Sequence, residues 1–154
     1  MKLKTLIQAG CSFLAFIMVF LPWYVASIFG FSASTNAFGE PFVGVLTLLG
    51  SLAALAWFVI SVLRQMAILK LKIPAKTEKI IDIVAGGLLV LFSLIGIIVC
   101  FAKGAGFTHP GFGAWLYIIL GIGVVVLNFV KLDQTVGKAP AKKTEKKEAK
   151  KDEK

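Results

Sequence analysis

The stretch Ile83–Ala102, IVAGGLLVLFSLIGIIVCFA, runs for 20 residues without a charged side chain, and its reading decides the fold. A helix needs about 20 apolar residues to cross a hydrocarbon core about 30 Å thick. Backbone amides find no water there, so a spanning segment must bond internally, and the absence of strand alternation selects a helix. Three other uncharged stretches accompany it: one begins at Thr5 and reads as helix to Trp23, one covers 41–63, and one covers 111–130. The expected fold class is therefore all-α, an integral membrane four-helix bundle with helices at 5–23, 41–63, 83–102 and 111–130. It occupies residues 1–131, and a disordered lysine-rich tail, 132–154, follows.

Composition agrees with that solvent. Charged residues are 16% of the 154-residue chain, against roughly a quarter in soluble domains. The charges that remain orient the helices. Lys2 and Lys4 precede the first span, Arg64, Lys70, Lys72, Lys76 and Lys79 lie between the second and third, and nine lysines follow from Lys131 onward. Lys and Arg mark cytoplasmic loops. With Lys103 alone on the other side, both termini are expected inside (N-in, C-in), with outward loops near 24–40 and 103–110. Val25-Ala26-Ser27 looks like a small-residue cleavage site, but Pro22, Trp23 and Tyr24 suit a retained interfacial anchor better. Gln8-Ala9-Gly10-Cys11 echoes a lipoprotein site, except that its apolar run follows Cys11 instead of preceding it. Cys11 and Cys100 differ in depth by roughly 15–20 Å at 1.5 Å per residue, too far to bridge, and read as small apolar residues.

Helices in lipid associate through small residues and occasional hydrogen bonds. Each span carries such a stripe: Gln8, Cys11, Ser12 and Ala15; Thr47, Gly50, Ser51, Ala54 and Ser61; Gly86, Val90, Ser93, Ile97 and Cys100; Gly113, Tyr117, Gly121, Val124 and Asn128. The packing residues singled out are Gln8, Gly50, Ser51, Ala54, Gly86, Gly121 and Asn128. Gln8 and Asn128 each lie within a turn of a lysine, at matching depth, and are expected to bond to each other. Trp23, Tyr24, Trp115 and Tyr117, with Phe107 and Phe112, are placed at the outer interface, where amphipathic rings collect. The outward loop, VASIFGFSASTNAFGE over 25–40, is unusually apolar and is expected to fold back on the bundle. On the inner side Pro74 breaks the chain, Thr77 is expected to cap the third helix, and Asp82 to face Lys79 or a headgroup.

The tail repeats KKTE-KKEA-KKDE over 142–153. Seven lysines against four acids in 142–154 leave a net attraction for anionic lipid headgroups, an alternative to a plainly solvated tail; nucleic acid is not expected. Ion-coupled transport usually needs ionisable groups within the spans, and only Asp82, at an edge, qualifies. Catalysis would have to use His109 and Glu40, a single acid–base pair. Two candidate ligands make no metal centre, and no phosphate loop, Cys-x-x-Cys or dinucleotide fingerprint occurs, so no enzyme and no cofactor is expected.

Leu21-Pro22-Trp23 and Gly111-Phe112-Gly113-Ala114-Trp115-Leu116-Tyr117, with the spacing of the spans, resemble small bacterial four-helix membrane proteins without assigned activity. That resemblance covers about residues 1–131 and implies a bacterial plasma membrane and the same bundle. Claudin-type tetraspans share the N-in, C-in layout, but their first outer loop carries cysteines that this one lacks. The function expected is non-enzymatic, an accessory, assembly or envelope-associated subunit binding a membrane-protein partner or its own copies. The alternative is a small channel or transporter subunit working as an oligomer, with Thr47, Ser51, Ser61 and Asn128 as its polar lining.

Overall fold

The computed structural model describes residues 2–103 and 106–130, and the lysine-rich tail lies outside them. The chain is mostly helical: α1 Leu3–Met18, α2 Pro41–Gln65, α3 Ala75–Lys103 and α4 Phe112–Val126, with strands β1 Tyr24–Ile28, β2 Phe31–Thr35 and β3 Thr108–Pro110. α2 and α3, at 25 and 29 residues, are long and apolar enough to cross a membrane, whereas α1 and α4 are shorter apolar helices. The four pack in a ring, α1 against α2 and α4, and α3 against the same two.

Helix bounds differ from the sequence reading for local reasons. α1 stops at Met18 because Pro22 restricts the residue before it, and the chain winds tighter through Leu21, with N–H groups of Val19, Phe20 and Leu21 reaching carbonyls three residues back. α3 starts eight residues before Ile83, directly after Pro74, so Thr77 lies inside its first turn and is not a cap. Its first two turns carry Lys76, Glu78, Lys79 and Asp82, a charged extension that hydropathy alone does not reveal.

The purely helical expectation is corrected at one end. The segment read as an irregular outward loop is a β-hairpin, and β3 pairs with its other side to give an antiparallel sheet in the order β2-β1-β3. Phe29 and Gly30 form the two-residue turn, with φ of 50° and 83°. Positive φ at both central residues matches the twist of the flanking strands, the condition for a tight hairpin.

The two stretches that carried the family resemblance meet beneath this sheet. Trp23 O accepts from Gly111 N at 2.7 Å, and Pro22 O from Gly113 N at 2.8 Å. A Cβ at Gly111 would stand 2.5 Å from Pro22 O, so only glycine admits that approach. Trp23 is fully buried, donates its indole N–H to Met18 O at 2.7 Å, and meets Tyr117 edge-on with ring centroids 5.3 Å apart. Gly96 lies under the same indole. Trp23, Tyr24 and Tyr117 are thus core residues and not exposed interface anchors; of the six aromatics so assigned, Phe107, Phe112 and Trp115 are exposed.

Several polar side chains are turned inward beside an apolar core, and many large apolar ones face outward. Gln8, Ser12, Thr47, Ser51, Asp82 and Ser93 are buried, while Phe13, Leu49, Ile98, Phe101 and Phe129 on the four helical walls are exposed. α3 and α4 approach closest: Gly86 faces Val124 and Val125, and Gly121 faces Leu89 and Val90. Gly50 faces the Phe92 ring, and Ala54 is buried alongside.

Candidate functional site

Polar side chains collect at two places, one at each end of the helical ring. At the end remote from the sheet, each helix contributes one residue to a single junction. Lys4 of α1 donates to Asn128 Oδ1, just past α4, at 2.6 Å, and lies 3.5 Å from Asp82 Oδ2 of α3. Trp57 of α2 donates its indole N–H to Asp82 Oδ1 at 2.7 Å. The Asp82 carboxylate therefore has a donor on each oxygen, which is how a buried charge avoids an uncompensated desolvation cost. Around it, Gln65 donates to Thr5 Oγ1 and accepts from the Lys2 backbone N–H, both at 2.7 Å.

Two expectations are corrected here. Gln8 and Asn128 do not bond to each other; their amide groups both donate to Val124 O, at 3.2 and 3.0 Å. The Asn128 oxygen is taken by the Lys4 ammonium, and a charged donor outcompetes a neutral amide. Gln8 Oε1 is left buried without a partner among the described residues. Asp82 faces Lys4 and Trp57, not Lys79, whose ammonium sits 5.3 Å above the Phe129 ring. The wanted signals were present in sequence: an indole four residues before the polar Ser61 needs an acceptor, and Lys4 is the cation beside the first span. What sequence withheld was which helices are neighbours.

Of the hydroxyls read as a lining for a pore, those of Thr47 and Ser51 are spent locally, while Ser61 Oγ is buried without a partner among the described residues. Thr47 donates to Val43 O and Gly44 O, and Ser51 to Leu48 O, all within α2. Tyr117 crosses from α4 to donate to Thr47 O at 2.8 Å, closing the centre. Ser93 donates to Ala114 O at 3.0 Å, fixing α3 to α4.

At the other end the hairpin stands above the ring. Its tip is apolar and open: Phe29 is 97% exposed and Phe31 83%. Below, Glu40 pairs with Lys103 at 2.6 Å. His109 is exposed on β3 opposite Val25, so the Glu40 carboxylate is engaged by a lysine and not by the imidazole. Cys11 and Cys100 are free thiols, and among the described residues no three potential metal ligands come together. No family model, curated protein or solved structure matches the chain.

Proposed function

We propose that the chain is a four-span membrane protein of a bacterial plasma membrane, with both termini inside, that binds a membrane-protein partner through its outer hairpin and performs no chemistry itself. Exposed Phe and Leu on every helical wall, with polar groups turned inward, support a lipid surrounding. Counting the tighter turns, the helical path runs from Leu3 to Leu21 and from Phe112 to Val130. At 1.5 Å per residue each covers about 28 Å, close to a hydrocarbon core. The charge bias supports the orientation.

The observation that carries the binding role is the tip. Phe29 holds a left-handed backbone that bulky residues rarely adopt, at the very place where Asn or Gly would fold more readily. A strained, almost fully exposed aromatic at the tip of a hairpin supports a surface kept for contact. Purification in mild detergent, with size and partner identified by mass spectrometry, tests the role. A partner retained by the full chain and lost from Phe29→Ser/Phe31→Ser supports it; a homogeneous homo-oligomer with no partner would put the channel reading first. Omitting residues 138–154 shows whether the tail contributes. For orientation, Ser32→Cys in a Cys11→Ser/Cys100→Ser background should react with an impermeant maleimide from outside the cell, and Lys72→Cys should not.

A further inference from the structure

Beneath the sheet a cleft of about 200 Å³ is lined by Tyr24, Glu40, Val99, Cys100, Lys103 and Thr108. At about 30 Å³ per water it holds roughly six or seven, a volume suited to a head group and not to an acyl chain. Tyr24 is only 8% exposed, and its hydroxyl has no hydrogen-bond partner among the described residues. A buried phenol without a protein partner is rare enough to need a reason. Burial first, and the Glu40 charge second, push its pKa above the usual range, so the group keeps its proton and remains a donor.

The rim carries one charge of each sign. Glu40 and Lys103 pair with each other, and their side chains are 26% and 65% exposed. A simple anion drawn to Lys103 would meet the Glu40 carboxylate, and a simple cation on Glu40 would meet the ammonium. A ligand with both charges replaces the internal pair by two new ones and strands neither. Thr108 donates its hydroxyl proton to Cys100 O, leaving its oxygen free to accept.

We propose that this cleft binds a zwitterion, its ammonium on Glu40, its phosphate or carboxylate on Lys103, and one of its oxygens accepting from the Tyr24 hydroxyl. The chemistry is shared by a zwitterionic lipid head group and by a free small zwitterion. The site is distinct from the hairpin tip and stands or falls independently of the partner-binding role.

The test uses the full chain in detergent, with binding read by calorimetry and thermal stabilisation. The probes are phosphoethanolamine and dihexanoylphosphatidylethanolamine, against inorganic phosphate, ethanolamine and dihexanoylphosphatidylglycerol. At least one zwitterion should bind saturably and at least tenfold tighter than the three probes that carry charge of one sign only. Binding of both the free and the lipid form assigns recognition to the head group; binding of the lipid alone assigns the source to the membrane. Tyr24→Phe should weaken binding roughly 3–10-fold, the worth of one hydrogen bond, while leaving the unliganded melting temperature unchanged or higher. Glu40→Gln and Lys103→Gln should each weaken it about tenfold. Equal affinity for phosphatidylglycerol, no binding of either zwitterion, or undiminished binding by Tyr24→Phe would overturn the proposal.

Discussion

Replacing Lys4 with methionine removes the cation in contact with Asp82 and leaves Trp57 as that carboxylate's side-chain donor among the described residues. At 3.5 Å and an effective dielectric of about 20, the gross attraction is about 5 kcal/mol. Desolvation takes most of that back, so the gross figure is not the cost. Breaking a fully buried pair costs about 3–5 kcal/mol, chiefly because the surviving charge is stranded. Here the Lys4 side chain is 22% exposed and Asp82 keeps its indole donor. The separation is also longer than the roughly 2.7–2.9 Å of a strong charge-assisted bond. The cost of Lys4→Met should therefore fall near the lower bound, about 2–3 kcal/mol. Asp82→Asn retains an oxygen for Trp57 and removes the charge, and should cost about 1 kcal/mol. With Asp82 neutral there is no stranded anion, so the double variant should cost at least about 1 kcal/mol less than the sum of the singles. Reversible unfolding in mixed micelles, followed by near-ultraviolet circular dichroism, measures all three. Zero coupling, or a Lys4→Met variant as stable as the parent, would show that the junction is solvated and holds nothing together.

Gly121→Leu should destabilise by about 3 kcal/mol, because its Cβ alone would stand 3.0 Å from Leu89 Cβ and Val90 N, whereas Gly123→Leu, with open space around it, should be neutral or slightly stabilising; equal melting temperatures would refute the α3–α4 contact. Ala67 takes a left-handed turn, φ 60°, just past α2, and Ala67→Gly should stabilise by about 0.5–1 kcal/mol by relieving it. Phe29→Asn suits the same backbone better at the hairpin turn and should raise stability by up to about 1 kcal/mol while abolishing partner retention, a separation that a merely structural Phe29 would not show.

Hydropathy located the four helices because a run of 20 uncharged residues has few other readings, and small residues at helical spacing marked faces that do lie inside: Gly50, Ser51, Ala54, Gly86 and Gly121 are all buried. What escaped was set by tertiary contact. The hairpin strands, YVASI and FSAST, lack the β-branched density and the Asn-Gly turn that announce such a motif, and β1 gains much of its ladder from β3, 80 residues away in the chain. Trp23 and Tyr24 carry the composition of an interface belt. The burial of Trp23 depends on Gly96, Gly111 and Gly113 clearing room for it, and three glycines on two other elements cannot be paired with a tryptophan by spacing alone. Asp82 was visible as an isolated acid, but choosing Lys4 over Lys79 required knowing which face of α3 turns inward.

These contacts also bear on whether the first helix stays. Its start supplies Lys4 to Asp82 and Asn128, its middle buries Gln8, Ser12 and Ala15, and the segment after it lodges Trp23 between α3 and α4. Cleavage after Ser27 would strand Asp82 without its Lys4 partner, empty the space over Gly96 and Gly113, and remove most of the β1 strand that joins both of its neighbours. A leader peptide has no reason to be so fitted, since its sequence is discarded before the fold is complete. The fit runs in both directions: a Cβ at Gly111 would stand 2.5 Å from Pro22 O and one at Gly113 2.9 Å from the Trp23 ring, so the end of the first helix and the start of the fourth need each other's shape. From this packing we propose that the first helix remains part of the folded protein.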